Sequence, residues 1–182
     1  MRLFTSVLAL GTACASFAAT AQDFPTRREG LWEVTINHEA AGAPQTMQQC
    51  TDAETDKLMN AFGGDMSADL CSKQDVRKVG ATIVVNATCQ IGAMKSTSES
   101  VITGDFNSNY SVKVTSKVEG LPAAAKGIAG GTTTIQARWV SACKPDQKPG
   151  DIVMASGKTM NIRDLRKMMG PKGAPKPKGA PK

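Results

Sequence analysis

The stretch that decides the fold is residues 71–89, Cys-Ser-Lys-Gln-Asp-Val-Arg-Lys-Val-Gly-Ala-Thr-Ile-Val-Val-Asn-Ala-Thr-Cys. Gly80 stands midway between the two cysteines, and the arm that follows it alternates apolar and polar residues. Such alternation is typical of a half-buried strand, and a glycine between two strands is typical of a tight turn. The stretch therefore predicts a β-hairpin whose open end is closed by a disulfide.

The register of this hairpin requires one irregularity. A two-residue turn at Val79-Gly80 sets Val76 opposite Ile83, so that both apolar side chains share the inner face. The same register sets Cys71 opposite the residue before Cys89. A slip of one residue along the whole strand would turn every side chain to the other face, so the register can change only locally. We predict one extra residue in the first arm, a β-bulge between Cys71 and Val76.

Two further cysteines, Cys50 and Cys143, lie outside the hairpin and beyond the N-terminal 21 residues. An even number of cysteines in an exported domain is typical of disulfides, and four cysteines allow three pairings. If the hairpin pair forms, Cys50 joins Cys143; in the other pairings Cys50 joins a hairpin cysteine. Zinc is disfavoured because no Cys-x-x-Cys is present and His38 is the only histidine.

The first 21 residues are typical of a secretory signal peptide. Arg2 precedes an uncharged, largely apolar run over residues 3–18, and Ala19-Thr20-Ala21 has the small-x-small pattern of a cleavage site. We expect export with cleavage near Ala21. The apolar run is too short for a bilayer span, and no later segment approaches about 20 apolar residues, so no transmembrane segment is expected after cleavage.

Five segments around the hairpin predict further strands. In the first of them Trp32, Val34 and Ile36 share one face, and polar residues occupy the other. Antiparallel strands of this kind form a sheet with one face packed on the core and the other exposed to solvent. The predicted fold class is mainly β (α+β), with a single antiparallel β-meander that forms a curved sheet or a partial barrel. The predicted strands are 31–38, 45–50, 95–103, 110–118 and 132–143.

Helices are expected at two places. Thr51 and Glu54 have the spacing of a capping box, and Gly63-Gly64 is a typical helix stop. We therefore predict a short helix over residues 52–62 that packs on the sheet. A second short helix is predicted from Asn161, as its N-cap, to Met169.

The positive charge of the chain is concentrated at its C-terminal end. The net charge is +6, but residues 22–157 hold 13 Lys and Arg against 15 Asp and Glu, a net charge of −2. The tail repeats Pro-Lys-Gly-Ala-Pro-Lys without a large apolar side chain, so it is predicted to be disordered. We divide the chain into a signal peptide (1–21), a disulfide-stabilised β domain (22–150), a short amphipathic basic segment (151–170) and a disordered Pro/Lys/Gly/Ala tail (171–182).

No motif in the sequence indicates catalysis. His38 has no sequence context of a catalytic triad, and no Gly-x-Ser-x-Gly is present. The glycines of residues 127–131 lack the Gly-Lys-Ser/Thr of a phosphate-binding loop. No aromatic residue interleaves the lysines of the tail, which argues against nucleic acid. We therefore expect a protein that is not an enzyme and that has no catalytic residue, no metal, no cofactor and no nucleic-acid partner.

Residues 28–35, Arg-Glu-Gly-Leu-Trp-Glu-Val-Thr, resemble the opening motif of the domain-of-unknown-function 3617 family. Gln-Gln-Cys-Thr at 48–51, the cysteines on either side of Gly80, and Ala-Arg-Trp-Val-Ser-Ala-Cys at 137–143 are similar to its cysteine sites. Glu29 and Ser141 stand where the family tends to have Pro and Gly. The resemblance implies an exported protein of a Gram-negative bacterium, and hence the periplasm, and it implies no activity.

The leading functional hypothesis is a non-enzymatic binding module. A curved sheet with an apolar concave face, partly covered by the helix over 52–62, could hold an apolar ligand or an envelope component. The opposing interpretation is that the same residues form a filled core. The residues that would line the ligand are Val34, Ile83, Val85, Val112, Val114 and Trp139.

Two alternatives use other parts of the chain. The basic tail would attach the protein to an anionic lipid or polymer of the envelope, or it would only keep the protein soluble. A copper site built from methionine thioethers is the other alternative, although the methionines are scattered and methionine more often fills gaps in a core. The lysines that would contact the polyanion are Lys172, Lys176, Lys178 and Lys182.

Overall fold

The computed structural model describes residues 24–40, 42–121 and 130–169. The predicted signal peptide 1–21 and the predicted disordered tail 171–182 lie outside these ranges. Within them the chain forms nine strands and two helices. In chain order they are β1 (Gly30–His38), β2 (Gln45–Thr51), α1 (Ala53–Leu70), β3 (Cys71–Val79), β4 (Thr82–Ile91), β5 (Met94–Asp105), β6 (Asn109–Glu119), β7 (Gly130–Ser141), β8 (Asp151–Val153), β9 (Thr159–Asn161) and α2 (Ile162–Met169).

The described strands form one open antiparallel sheet in the order β3-β4-β5-β6-β7-β1-β2-β8-β9. Strands β3 to β7 are a meander, and β7 then pairs with β1 over seven successive positions from Trp32 to His38. The mainly β, antiparallel fold class predicted from the alternation is confirmed. The segment predicted as amphipathic and basic extends the sheet through β8, which pairs with β2, and ends in α2.

The predicted hairpin is formed by β3 and β4, but its turn lies one residue later than expected. The turn residues are Gly80-Ala81, and Val76 faces Val85 rather than Ile83. Gly80 has φ +60, and a two-residue turn of type II′ takes glycine at its first position. The predicted turn had Gly80 at its second position, so it lay one residue too early in the chain.

The β-bulge predicted in the first arm of the hairpin is present. Cys71 pairs with Cys89 and Lys73 pairs with Thr88, so Ser72 is the extra residue. The bulge brings the two cysteines opposite each other, and they form a disulfide. The hairpin is therefore closed at the point where α1 enters β3.

Helix α1 begins at a reciprocal cap that lies one residue later than predicted. The backbone N–H of Thr55 donates to Asp52 Oδ1 at 2.8 Å, and the N–H of Asp52 donates to Thr55 Oγ1 at 3.0 Å. Asp52 is thus the N-cap, whereas Thr51 is the last residue of β2. The general capping-box pattern was identified, but both of its members were misplaced, because Asp and Thr also serve in these two roles.

Helix α1 is longer than predicted, since it continues through Gly63-Gly64 to Leu70. A glycine inside a helix costs about 1 kcal/mol relative to alanine, which tertiary contacts readily offset. Here the next residue, Cys71, is bonded to Cys89, so the end of the helix is fixed by the hairpin. The second helix, α2, occupies the predicted range, and Asn161 Oδ1 accepts from the N–H of Arg163 at 3.0 Å as its cap.

A second disulfide joins Cys50, near the end of β2, to Cys143, which follows β7. Cys50 is fully buried, and its carbonyl accepts from the N–H of Gly150 at 2.7 Å. The carbonyl of Gly150 in turn accepts from the N–H of Ile162, the first residue of α2. This junction ties β2, the segment after β7 and α2 together beside the start of α1.

The two disulfides are expected to differ in their contribution to the free energy of unfolding. Cys50–Cys143 spans 93 residues and Cys71–Cys89 spans 18. A larger loop restricts the unfolded chain more, so Cys50→Ala with Cys143→Ala should cost about 4 to 5 kcal/mol, and Cys71→Ala with Cys89→Ala about 3 kcal/mol. Urea denaturation of the two double variants measures both values. The reverse order of stability would contradict the expectation.

The cap of α1 predicts a defined pH dependence. The Thr55 N–H, which donates to the carboxylate, holds the pKa of Asp52 below its ordinary value, although partial burial opposes this. A carboxyl group with a lowered folded-state pKa stabilises the fold above its unfolded pKa, and the effect is lost as the pH falls through the folded pKa. Asp52→Asn keeps an acceptor but cannot titrate.

The stability advantage of wild type over Asp52→Asn should therefore shrink as the pH falls below about 4. Asp52→Ala, which removes the acceptor, should cost about 1 kcal/mol at neutral pH. Parallel urea titrations of the three proteins between acid and neutral pH measure both effects. A difference between wild type and Asp52→Asn that stays constant over this range would rule out the assigned role of the carboxylate.

Candidate functional site

An open cleft of about 740 Å³ lies between the inner face of the sheet and the two helices. The central strands contribute Ile102, Val112 and Ile135 to its floor. Met59 of α1 and Leu165 of α2 line it from the helical side. The segment before β1 closes another part of the wall through Phe24 and Pro25.

The floor of the cleft follows directly from the strand register. Ile83 pairs with Ile102, Ile102 with Val112, Val112 with Ile135, and Ile135 with Ile36. Residues directly opposite each other in antiparallel strands project to the same side. They therefore form one continuous aliphatic row across five strands. Ile83 is buried, and Ile36 packs against the buried cluster at Trp32. The three residues between them in the row are only half-buried, which leaves apolar surface open to the cleft: Ile102, Val112 and Ile135.

Beside this row the same face of the sheet is filled. Trp32, Val34 and Ala137 form a buried cluster, with relative exposures of 0%, 5% and 2%. The Trp32 ring lies 5.7 Å from the ring of Tyr110 between centroids, and the indole N–H of Trp32 donates to the carbonyl of Arg28 at 2.8 Å. The inner face is thus a packed core around Trp32, Val34 and Ala137 and an open floor along the aliphatic row.

A buried ion pair positions α1 relative to this face. The guanidinium Nε of Arg27 donates to Asp56 Oδ1 at 2.6 Å, and the backbone N–H of Arg27 donates to Asp56 Oδ2 at 2.9 Å. The exposed fractions are 8% for Arg27 and zero for Asp56. Both carboxylate oxygens are therefore used, and the segment before β1 is bound to the first turn of the helix.

The remaining nitrogens of Arg27 bind two further elements. Nη1 donates to Gln49 Oε1 of β2 at 2.8 Å, and Nη2 lies 3.2 Å from the Met59 sulfur, one turn along α1. The guanidinium carbon is 5.8 Å from the centre of the Trp32 ring. The side chain of Arg27 thus links the sheet, the helix and the buried tryptophan at one edge of the cleft.

Sequence reasoning missed this ion pair. The partners are 29 residues apart, and neither belongs to a motif that indicates pairing. One signal was present, because Asp56 precedes Met59 by three residues and such positions share a helix face. A carboxylate on the apolar face of a helix requires a buried partner.

The six residues predicted to line a ligand all lie on the inner face of the sheet, and they divide into three groups. Val112 lines the cleft, and Val114 is half-buried beside it. The Trp139 ring is covered by the guanidinium of Arg28, 3.7 Å away, and its N–H donates to the carbonyl of Glu29 at 3.0 Å. The remaining three are buried in the packing of the sheet: Val34, Ile83 and Val85.

Two of the methionines take part in polar contacts. The sulfur of Met47 accepts from Gln49 Nε2 at 3.6 Å, and that of Met59 accepts from Arg27. Because a guanidinium beside a thioether disfavours a bound cation, these contacts do not support the copper hypothesis. In the described ranges, no group of three or more His, Cys, Asp or Glu residues is placed to hold a metal ion.

The tail lysines predicted to contact a polyanion lie outside the described residues, so attachment through them stays a prediction: Lys172, Lys176, Lys178 and Lys182. Of the helices that the structure describes, neither is long and apolar enough to cross a membrane. His38 lies at the end of β1 and accepts through Nδ1 from the N–H of Ala40 at 3.1 Å.

Residues 27–143 match the family described as protein of unknown function (DUF3617). The chain belongs to the DUF3617 family. The match begins at Arg27, which forms the buried ion pair, and ends at Cys143, which closes the longer disulfide. The resemblance drawn from the tryptophan motif and the cysteine order is confirmed. No curated protein and no solved structure matches this chain.

The DUF3617 domain should depend strongly on the buried ion pair. Asp56→Ala leaves the guanidinium of Arg27 buried without its counter-ion, which should cost about 3 to 5 kcal/mol in the free energy of unfolding. Glu33→Ala is the matched control, since Glu33 pairs with the exposed Arg138 at 2.8 Å. It should cost less than about 1 kcal/mol.

Chemical denaturation of both variants at the same pH and salt concentration measures the two costs. Equal effects of Asp56→Ala and Glu33→Ala would contradict a special role for the buried pair. Far-UV circular dichroism of each variant shows whether α1 is retained.

Proposed function

We propose that this DUF3617 protein is a non-enzymatic binding protein of the bacterial periplasm that holds a small apolar ligand in the cleft between sheet and helices. The observation that carries the proposal is the half-buried aliphatic row beneath that cleft. Side chains such as Ile102, Val112 and Ile135 are normally buried, and here they line an open volume of about 740 Å³. Ligand pockets typically have volumes of about 300 to 1,000 Å³.

The construction of the walls supports a preformed site. The start of α1 lies beside the Cys50–Cys143 disulfide, its first turn is bound to Arg27, and its end runs into the Cys71–Cys89 disulfide. A helix fixed at both ends cannot easily collapse onto the floor. A cleft that is ordered before binding loses less entropy when the ligand enters.

Two features support the periplasm as the compartment of the proposed binding protein. The N-terminal residues have the pattern of a signal peptide. Two disulfides in a domain of this size are typical of an oxidising compartment. An apolar compound in the periplasm needs a carrier or a receptor, because it is poorly soluble in water.

Filling the cleft tests the proposal. Val112→Trp places a large side chain on the floor of the cleft, whereas Thr115→Trp places the same side chain on the exposed outer face of the same strand. Wild type and Thr115→Trp should bind the uncharged fluorescent probe N-phenylnaphthylamine, and Val112→Trp should bind it at least about tenfold more weakly, a loss of about 1.4 kcal/mol.

Fluorescence titration measures the affinities, and thermal unfolding shows whether both variants are folded. Equal probe binding by the two tryptophan variants would place the site elsewhere. Native mass spectrometry of protein purified from a periplasmic extract provides a second readout, since a bound apolar compound adds a defined mass. Absence of binding by every probe, together with a bare mass, would falsify the proposed function.

A further inference from the structure

The cleft has almost no charge that a ligand could use. Of the lining residues that the structure describes, Arg27 alone is charged at neutral pH. The other side chains are aliphatic or aromatic, a thioether, or uncharged polar groups. The uncharged polar groups are the amides and hydroxyls of Gln49, Asn60, Gln74, Ser100 and Tyr110.

The charge of Arg27 is already compensated. Its Nε donates to Asp56 at 2.6 Å, its Nη1 donates to Gln49 at 2.8 Å, and its Nη2 contacts the sulfur of Met59 at 3.2 Å. An anionic ligand could reach an Nη nitrogen only by displacing Gln49 or Met59, and it would meet a cation whose charge Asp56 already neutralises. The carboxylate of Asp56 is fully buried beside the guanidinium, so it would repel the incoming anion.

Gln74 and Ser100 lie on one side of the aliphatic row. Gln49 and Tyr110 lie on its other side, where Gln49 accepts from Arg27 and Tyr110 stacks on Phe106. Gln74 is on the edge strand β3, and Ser100 is on β5, next to Ile102 along the same face. Asn60 of α1 lines the same cleft, and both Asn60 and Gln74 are exposed. The cleft therefore changes from an apolar floor along the aliphatic row to an amide and hydroxyl rim at Gln74 and Ser100.

We infer that the cleft selects a single-chain amphiphile whose head group is uncharged and forms hydrogen bonds, such as an alcohol, an ester or an amide. The hydrocarbon chain lies on the aliphatic row, and the head group meets the amides of Gln74 and Asn60 and the hydroxyl of Ser100. An ionised head group would lose hydration in the cleft without gaining a partner of opposite charge. This inference rests on the proposed function, because it names the ligand class of the same cleft.

Three amphiphiles with the same chain separate the possibilities: dodecanol, dodecanoate and dodecyltrimethylammonium. Each is titrated against wild-type protein loaded with N-phenylnaphthylamine, at concentrations below those that form micelles and at a pH at which the acid is ionised. Dodecanol should displace the probe at a concentration at least about tenfold lower than either ion, a difference of about 1.4 kcal/mol.

The outcomes distinguish this inference from the proposal beneath it. Failure of the probe and of all three compounds to bind removes the proposed function itself. Equal displacement by the three compounds, or stronger displacement by dodecanoate, overturns the selection of uncharged ligands and leaves the binding function in place. Preference for dodecanol supports both.

A charge introduced at the rim provides the matched test. Gln74→Lys adds a cation beside the expected head group at an exposed position, and Thr97→Lys adds the same charge on the exposed outer face. Gln74→Lys should shift the preference toward dodecanoate by at least about threefold, about 0.7 kcal/mol, and Thr97→Lys should leave it unchanged. An identical preference in both variants overturns the placement of the head group at this rim and the inference with it.

Discussion

The buried contact between Arg27 and Asp56 is the interaction on which the arrangement of the molecule depends. It joins the segment before β1 to the first turn of α1, and it uses both carboxylate oxygens. Buried ion pairs often add little net stability, because both charges lose their hydration. Their geometry is nevertheless demanding, since an alternative position of the helix would leave two charges unpaired. The pair therefore determines where α1 crosses the sheet and how much of the aliphatic floor remains open.

The covalent links act on the same helix from its two ends. Cys50 lies three residues before the first residue of α1, and Cys71 directly follows its last. The Gly150 N–H bonds the Cys50 carbonyl and the Ile162 N–H bonds the Gly150 carbonyl, which brings α2 to the same corner. The cleft is thus enclosed by elements held through covalent and charged contacts, while its own floor consists of apolar side chains without specific partners. Small-molecule sites are typically preformed and lined mostly by apolar side chains with a few polar groups.

Local patterns predicted β1 to β7, because the side-chain period of a strand is visible in a short window. The strands β8 and β9 were not predicted, since three residues each are too few to show that period. The inner residues of β1 followed from that period alone. The position of the bulge did not, because the extra residue Ser72 brings Cys71 opposite Cys89 only when the turn lies at Gly80-Ala81. The length of α1 did not, since its end is set by the Cys71–Cys89 disulfide and not by Gly63-Gly64. The sequence predicted an apolar face partly covered by a helix, but it did not predict the edge of the cleft. That edge is formed by Arg27 and Asp56, which are 29 residues apart and belong to no common local motif.

The position of β1 in the sheet has a consequence for how the protein folds. β1 pairs on one side with β2, which follows it at once, and on the other side with β7, which comes about a hundred residues later. Until β7 is available, one edge of β1 has no strand beside it, and such an edge is prone to wrong pairing. Pairing of two strands that lie so far apart in the sequence is slow. The local β3–β4 hairpin can form and oxidise first, whereas Cys50 can form its disulfide only after β7 has paired with β1 and placed Cys143 beside it.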